Sequence, residues 1–319
     1  MASTSFPLIS FQDFLSGSEV EKRDVAQKLY NAFHTYGWVY LQDFGISANE
    51  IDQMFAMSKK YFDRSLDEKL KQTLSSAAVN QGYTPDGAEA NGGTDHKECY
   101  EHRRFTNDLC PTDTEVAGFH TFMDAFYKKC FNLSVDVLQA LALIMNLDLD
   151  YFSTALSKAD PQLRLLHYMP IERSVIESKG HARITPHTDF GLCTILFQDS
   201  VGGLEVDPFH TENFVPATPI RGTCVINVAD LLQRLSNDRL RSTMHRVTSP
   251  RLSNEQSSGQ MLPARYSTAF FVHPSADVDI EPIVWEGEKG AKYEKVNAGE
   301  WRTYNTSKNY ANILAPIKG

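Results

Sequence analysis

The first half of the chain is dominated by apolar residues that recur every three to four positions, the spacing of an amphipathic helix. This spacing predicts helices over residues 21–36, 47–62 and 115–147. The second helix begins with Ser-Ala-Asn-Glu, which fits a capping box at a helix N-terminus. The third carries a stripe of Phe and Met residues, which at this spacing is usually buried core rather than a cofactor site. We therefore expect a helical scaffold in this half.

After Asp160 the pattern changes to short apolar or alternating runs separated by turn residues. The runs predict strands over residues 163–168, 192–197, 203–206, 223–228, 243–247 and 266–272. The other predicted elements are strands over 6–11 and 38–41, a helical turn over 231–235, a long loop with short strands over 75–110 and a final helix over 297–314. Several strands at this spacing indicate a sandwich or barrel. We expect one compact unit over 1–319, mostly helical at 1–158 and with a β core at 159–319.

The composition narrows the class of protein. The 319 residues are 42% hydrophobic, enough for a sizeable core, and the formal net charge is −9. An acidic chain is a poor nucleic-acid binder, because phosphate neutralisation needs a basic face. No run of about 18 apolar residues predicts a membrane span, and the scattered, odd-numbered cysteines are typical of reduced thiols. With no signal-peptide pattern at the N-terminus, we expect a cytoplasmic protein with neither a nucleic-acid nor a membrane partner.

The sequence His187-Thr188-Asp189 is the first candidate for chemistry. Residues two apart on an extended strand project from the same face, so an imidazole and a carboxylate would point into one space. These are two members of a 2-His-1-carboxylate triad, which binds Fe(II) and leaves coordination positions open. His245, in a second extended-looking segment, is the candidate third ligand. A lone histidine is more often a structural or surface residue, so this motif alone does not establish a metal site.

A second candidate is Arg265-Tyr266-Ser267, in which Arg265 and Ser267 would share a strand face. A guanidinium beside a hydroxyl can bind a carboxylate through charge-assisted hydrogen bonds. The alternative is a surface arginine on a strand. The apolar residues that follow, over 269–272, indicate instead that the strand is buried. A buried arginine needs an anion.

The order of three motifs, H-T-D-F-G at 187–191, H-R-V at 245–247 and R-Y-S at 265–267, resembles the isopenicillin N synthase-like family of Fe(II)/2-oxoglutarate-dependent dioxygenases. Segments that resemble the same family lie at 6–9, 37–41, 163–168, 227–232 and 236–238, so the resemblance covers nearly the whole chain. It implies a mixed α and β fold. The core at 159–319 would be a double-stranded β-helix, or jelly roll, with the metal in its mouth, supported by N-terminal helices and a C-terminal helix.

The resemblance also implies roles for single residues. His187, Asp189 and His245 would ligate Fe(II), and Arg265 and Ser267 would bind the distal carboxylate of 2-oxoglutarate. The implied reaction consumes 2-oxoglutarate and O2, releases succinate and CO2, and oxidises an unactivated C–H bond of a small metabolite or specialised biosynthetic intermediate. Hydroxylation, desaturation and ring formation are all open outcomes. Ascorbate is expected to support activity.

The resemblance places Tyr168 where members often hydrogen-bond the cosubstrate, although Leu166 stands where many plant members carry Asn. The substrate is less constrained than the cosubstrate. The candidate substrate residues are Asn80, Tyr83, Arg103, Arg183 and Phe271. An aromatic ring with Arg and Asn side chains suits a flat polar ring or a small carboxylate. For each of these residues, the alternative is a solvated or loop-structural role.

Other functions remain open at the level of the sequence. One is an oxidase of the same fold that takes all its electrons from substrate, and another is a small-molecule binding protein that has lost the metal. A cupin-like isomerase is a third, but its metal ligands would leave the Arg-x-Ser pair unexplained.

Overall fold

The computed structural model describes residues 6–73, 80–88, 94–250 and 260–309. Its helices are Gln12–Ser16 (α1), Glu19–Thr35 (α2), Ala48–Phe62 (α3), Leu66–Leu70 (α4), Phe119–Met145 (α5), Tyr151–Ala155 (α6), Arg173–Ile176 (α7), Asp230–Leu235 (α8) and Ala298–Asn309 (α9). Its first nine strands are Leu8–Ser10 (β1), Trp38–Gln42 (β2), Gly82–Thr84 (β3), Thr94–Asp95 (β4), Glu98–His102 (β5), Gln162–Tyr168 (β6), Ile171–Glu172 (β7), His181–Ala182 (β8) and Ile184–His187 (β9). The remaining strands are Cys193–Gln198 (β10), Leu204–Asp207 (β11), Val215–Pro216 (β12), Cys224–Val228 (β13), Met244–Val247 (β14), Met261–Leu262 (β15), Arg265–Val272 (β16), Asp279–Ile280 (β17) and Val296–Asn297 (β18).

Side-chain caps set where the helices begin. The hydroxyl of Ser18 accepts a hydrogen bond from the backbone N–H of Glu21, and the Glu21 carboxylate accepts from Ser18. This capping box starts α2 at Glu19, two residues before the predicted start. Ser47 forms the capping box expected for α3, and Ser65 forms another for α4, which the periodicity did not predict.

An eight-stranded sheet forms one wall of the core, in the order β1-β2-β13-β10-β16-β6-β5-β3. Only the β1–β2 pair among these neighbours is parallel. Four of its strands, β1, β2, β3 and β5, come from before residue 159, so the region predicted as mostly helical also contributes to this sheet.

A four-stranded sheet, β12-β11-β14-β9, forms the opposite wall. Apolar side chains from both sheets pack together, including Leu166 and Val225 from the large sheet and Leu204 and Val247 from the small one. Two mostly antiparallel sheets that enclose one core are the arrangement of a jelly roll. The predicted fold class is therefore confirmed.

The other face of the large sheet is covered by helices. Side chains alternate along each strand, so Leu163 and Leu165 of β6 join the cluster that includes α2, α3 and α5, while Leu166 faces the smaller sheet. The 27-residue α5 has Met123 and Cys130 completely buried in this cluster. It is the scaffold helix that the Phe and Met stripe predicted.

Two predicted segments lie partly outside the described residues. In the long loop, positions 75–79 and 89–93 are not described, and the rest contains β3, β4 and β5. The final helix begins at Ala298 and is described to Asn309, so the predicted continuation to 314 is not described.

Candidate metal and cosubstrate site

His187, Asp189 and His245 come together where β9 pairs with β14. His187 is the last residue of β9, and His245 lies directly opposite it on β14. The alternation of side chains predicts that Asp189 lies on the same strand as His187. Asp189 lies instead in the turn that follows the strand. The backbone carbonyl of Asp189 accepts a hydrogen bond from the N–H of Asp230, the first residue of α8, which fixes this turn to the start of that helix.

The geometry of the three side chains suits a metal ion. The Nε2 atoms of His187 and His245 lie 3.9 and 3.8 Å from Oδ1 of Asp189. One ligand atom from each residue lies within 4.8 Å of the other two. Among the described residues, no other cluster of three His, Cys, Asp or Glu side chains has this geometry.

Hydrogen bonds aim each ligand atom at the centre of the triad. The Nδ1 of His187 is 2.8 Å from the carbonyl oxygen of Thr185, so Nε2 is left with its lone pair. The Nδ1 of His245 lies 3.3 Å from the carbonyl oxygen of Thr243. The indole of Trp38 packs against the His245 ring, with 5.6 Å between centroids.

The protonation states also suit a cation. Burial and the neighbouring His245 imidazole lower the pKa of His187 to about 4, so its ring is neutral at neutral pH. Burial by itself would raise the pKa of Asp189, but the two imidazoles and two side-chain hydrogen bonds lower it overall. These bonds come from Thr194 Oγ1 (2.7 Å) and Asn227 Nδ2 (2.8 Å), and both go to Oδ2. Oδ1 thus remains for a metal.

A cavity of about 210 Å³ runs from this triad between the two sheets. The pairing of β6 with β16 determines which side chains are neighbours in the cavity wall. Arg265 lies opposite Tyr168, and Ser267 lies opposite Leu166. These four side chains line the cavity. Arg265 is completely buried and stacks on Tyr168, with 4.8 Å from Cζ to the ring centroid.

The buried guanidinium of Arg265 is suited to bind an anion. One guanidinium nitrogen, Nη1, donates to Ser267 Oγ at 3.2 Å. Its Nε and Nη2 have no partner among the described residues. A buried guanidinium with unsatisfied donors is costly unless a carboxylate pairs with it. The predicted binding of the distal carboxylate of 2-oxoglutarate therefore fits this end of the cavity.

At the other end of the same strands, Ala269 lies opposite Arg164 and Phe271 opposite Gln162. All four line the cavity, and Asn80 joins them. The guanidinium of Arg164 lies 5.4 Å from the centroid of the Phe271 ring. Of the predicted substrate residues, Asn80 and Phe271 therefore reach the cavity.

The remaining predicted substrate residues lie outside the cavity lining. Tyr83 donates its hydroxyl hydrogen to Glu98, and Arg103 pairs with Asp160. Arg183 lies behind the cosubstrate end, where its Nη2 donates to the carbonyl of Pro263. Burial and the charge of Arg265 lower the pKa of Arg183 to about 10. Tyr83 and Arg103 thus already have structural contacts, whereas Nε and Nη1 of the completely buried Arg183 have no hydrogen-bond partner among the described residues.

The C-terminal helix α9 closes one side of the cavity. Its Asn305, Thr306 and Lys308 are among the lining residues. The indole N–H of Trp301 donates to the carbonyl of Phe190 at 2.9 Å, which attaches α9 to the turn that carries Asp189.

Several residues of the site are not among the sequence candidates, and four of them are polar residues of the large sheet. Gln162 and Arg164 could have been found by counting back in steps of two from Tyr168, because every second residue of a strand lies on the same face. Asn227 lies in a segment that resembles the family, but its contact with Asp189 depends on strand pairing. Thr194 has no sequence signal beyond its place in an apolar run.

Comparison with known proteins gives two family matches. Residues 159–274 match the 2OG-Fe(II) oxygenase superfamily. Residues 6–122 match the N-terminal region described as "non-haem dioxygenase in morphine synthesis". Among curated relatives, the 2-oxoglutarate-dependent dioxygenase ecdK of Aspergillus rugulosus is 32% identical over 93% of this chain and 97% of its own. The proline hydroxylase buaE of Petromyces alliaceus is 34% identical over 94% and 97%.

Among solved structures, a full-length Neurospora crassa protein in complex with alpha-KG and thymine is similar throughout. It superimposes with a TM-score of 0.88 and 33% identity over 96% of this chain and 97% of its own. No helix in the described part of the chain has the length and apolar character needed to cross a membrane.

Proposed function

The chain belongs to the 2OG-Fe(II) oxygenase superfamily, and from this premise we propose that it hydroxylates a C–H bond of a small cyclic, nitrogen-containing molecule. The overall change is R–H + 2-oxoglutarate + O2 → R–OH + succinate + CO2. One oxygen atom of O2 enters the product and the other enters succinate. The observation that carries the proposal is a single cavity with the His187, Asp189 and His245 triad beside the unpaired donors of Arg265.

In this proposal His187, Asp189 and His245 hold Fe(II), and Arg265 with Ser267 holds the distal carboxylate of 2-oxoglutarate. Fe(II), when bound with 2-oxoglutarate and O2, supplies the oxidant that breaks the C–H bond. The protein contributes position and the exclusion of water. Two anchors at fixed places on the barrel, one for the metal and one for the carboxylate, orient the cosubstrate between them.

Tyr168 has a supporting role at the cosubstrate end. Its hydroxyl lies 3.5 Å from Ser267 Oγ, and its ring packs under the guanidinium of Arg265. The ring restricts Arg265 to a conformation that points along the cavity, and the hydroxyl adds a donor at the same place. We assign Tyr168 to binding of 2-oxoglutarate.

Two relatives support the substrate class. The name of buaE gives proline as what it hydroxylates, and the Neurospora crassa protein was solved with thymine bound. Both molecules are small rings that contain nitrogen. Phe271 offers an aromatic surface at the end of the cavity away from Arg265, where such a ring would lie.

The test uses protein reconstituted with Fe(II) in the absence of O2. Addition of 2-oxoglutarate should produce a metal-to-ligand absorption band, and admission of air with ascorbate should give slow succinate formation without added substrate. His187→Ala should abolish both signals, whereas His120→Ala, at an exposed histidine of α5, should retain both. If the band does not form, the assignment of 2-oxoglutarate is wrong.

The same experiment separates the alternatives. An oxidase that does not use 2-oxoglutarate would consume O2 without forming succinate. A metal-free binding protein would contain no iron when purified without chelator. A succinate-release screen over small cyclic compounds, followed by mass spectrometry of the product, would then identify the substrate and distinguish hydroxylation from desaturation or ring formation.

A further inference from the structure

Two carboxamide side chains form a buried pair at the end of the cavity away from Arg265. The Nδ2 of Asn80 donates a hydrogen bond to Oε1 of Gln162 at 3.2 Å. Asn80 is 8% exposed and Gln162 is 5% exposed, and both line the cavity. The two residues are 82 positions apart, so tertiary structure alone brings them together.

The pair is only half satisfied. Asn80 Oδ1, an acceptor, and Gln162 Nε2, a donor, have no hydrogen-bond partner among the described residues. If both amides turned over, the two residues would exchange roles and would again leave one acceptor and one donor. Buried polar groups normally have partners, so this lining lacks one donor and one acceptor that another molecule can supply.

The pair has a defined place relative to the cosubstrate end. Gln162 lies opposite Phe271, six residues along β16 from Arg265. Asn80 is held with a backbone φ of 41°, in the left-handed region that asparagine tolerates better than most residues. The carboxamide pair therefore lies beside an aromatic ring and away from the residues assigned to 2-oxoglutarate.

Two cations of the cavity lining, Arg164 and Lys97, are already paired with carboxylates. Arg164 donates to the buried carboxylate of Glu101. Lys97 pairs with Asp95 at 3.2 Å. Because each of these cations already has a carboxylate partner, neither provides an unmatched charge for an anionic substrate.

We propose that Asn80 and Gln162 bind the cis-amide edge of a planar ring, in which an N–H lies next to a C=O. Asn80 Oδ1 accepts from the ring N–H, and Gln162 Nε2 donates to the ring carbonyl. Lactams, imides and cyclic ureas carry such an edge, whereas a carboxylate has two acceptors and an ammonium only donors. This inference rests on the function proposed above and specifies its substrate class.

The test compares two probes on the unmodified protein, loaded with Fe(II) and 2-oxoglutarate without O2. The first probe, 2-pyridone, is a planar lactam, and the second, N-methyl-2-pyridone, lacks the N–H. Calorimetric titration should show saturable binding of 2-pyridone. N-methyl-2-pyridone should bind about tenfold more weakly or worse, because one hydrogen bond is lost and an acceptor stays unpaired.

Variants test whether the pair makes this distinction. Gln162→Met keeps the length of the side chain and removes its donor, so binding of 2-pyridone should weaken about tenfold. Asn80→Leu should remove the preference for 2-pyridone over its N-methyl analogue. Gln198→Met, at a glutamine of β10 outside the cavity lining, is the matched control and should retain the preference.

The outcomes separate the two proposals. If the absorption band with 2-oxoglutarate forms but the probes bind equally or not at all, the amide-edge assignment is overturned and the proposed function stands. If the band is absent, the proposed function fails. The probe comparison needs no substitution, so it remains decisive even if a variant does not fold.

Discussion

Asp189 uses its two carboxylate oxygens differently, and this division determines how the triad is held. Oδ2 accepts hydrogen bonds from Thr194 and Asn227, while Oδ1 lies near both imidazoles. The two donors restrict rotation of the carboxylate and partly neutralise the negative charge on Oδ2. Neighbours of a ligand typically affect metal affinity by about 10–100-fold.

Replacement of Thr194 by Val should therefore weaken metal binding. The substitution keeps the shape of the side chain and removes the hydroxyl donor to Asp189, so the Kd for Mn(II), a stand-in for Fe(II), should rise about 10–100-fold. Thr268→Val is the control, because Thr268 is buried on β16 with its hydroxyl unpartnered among the described residues. Equal Mn(II) affinities by calorimetry for the two variants would rule out this role for Thr194.

The role of Arg265 in binding 2-oxoglutarate can be tested by how much the ligand stabilises the protein. Without 2-oxoglutarate, Arg265→Met should not lower the free energy of unfolding, because the substitution removes a buried cation with unsatisfied donors. With metal present, 2-oxoglutarate at 100 times its Kd should stabilise the unmodified protein by about 2.7 kcal/mol and the variant hardly at all. Thermal unfolding measures both, with the exposed Arg221→Met as control. Equal stabilisation of both variants would contradict the assignment.

At the scale of the elements, one buried carboxylate joins three of them. Glu98 of β5 accepts from Lys69 of α4 at 2.7 Å and from the Tyr83 hydroxyl of β3 at 2.5 Å. Its second oxygen lies 2.7 Å from Nδ1 of His167 on β6. Burial opposes ionisation of Glu98, but these hydrogen bonds lower its pKa overall. The network fastens the N-terminal strands to the barrel.

Glu98→Gln should be strongly destabilising, since it leaves the ammonium of Lys69 buried without its anion. We expect the free energy of unfolding to fall by about 3–5 kcal/mol, the range for breaking one side of a buried ion pair. Urea denaturation followed by circular dichroism provides the measurement. Glu286→Gln, at an exposed glutamate, should change little, and a similar loss in both variants would argue against the network.

The elements also show which features could be predicted from the sequence. The long helices and the six principal barrel strands are predicted to within a few residues, because their periodicity comes from burial on one face. Strands of two residues, such as Ile171–Glu172, have too few side chains to show a period. The contact of His187 with His245 follows from the pairing of β9 with β14, which only the motif order of the family suggests. The Asn80–Gln162 pair has no sequence signal, because it joins a loop to a strand 82 residues away.

At the scale of the whole molecule, folding buries a titratable group that the proposed reaction does not use. His273 follows β16 and stacks against Phe190, with 5.2 Å between ring centroids. Burial, with the nearby charges of Arg302 and Arg103, lowers its pKa to about 3. The folded protein therefore keeps this imidazole neutral, while the unfolded chain protonates it below about pH 6.5.

The sign of the resulting pH dependence follows from proton binding. Between about pH 6.5 and pH 3 the unfolded state binds a proton that the folded state does not, so stability is lost as the pH falls. His273 should contribute a slope of up to about 1.4 kcal/mol per pH unit in this window. His273→Phe should reduce the slope measured by urea unfolding from pH 7.5 to pH 5, whereas the exposed His34→Phe should not. An unchanged slope in His273→Phe would contradict the assignment.

The ordered pairs along β6 and β16 have a consequence for how such a protein diverges. About 20 Å of strand separates the Tyr168–Arg265 pair from the Gln162–Phe271 pair. A gene duplicate can therefore exchange side chains at the far pair while the near pair, to which we assign the binding of 2-oxoglutarate, stays intact. New substrates can arise by single inward-facing replacements, and laboratory evolution of this chain is best confined to those positions.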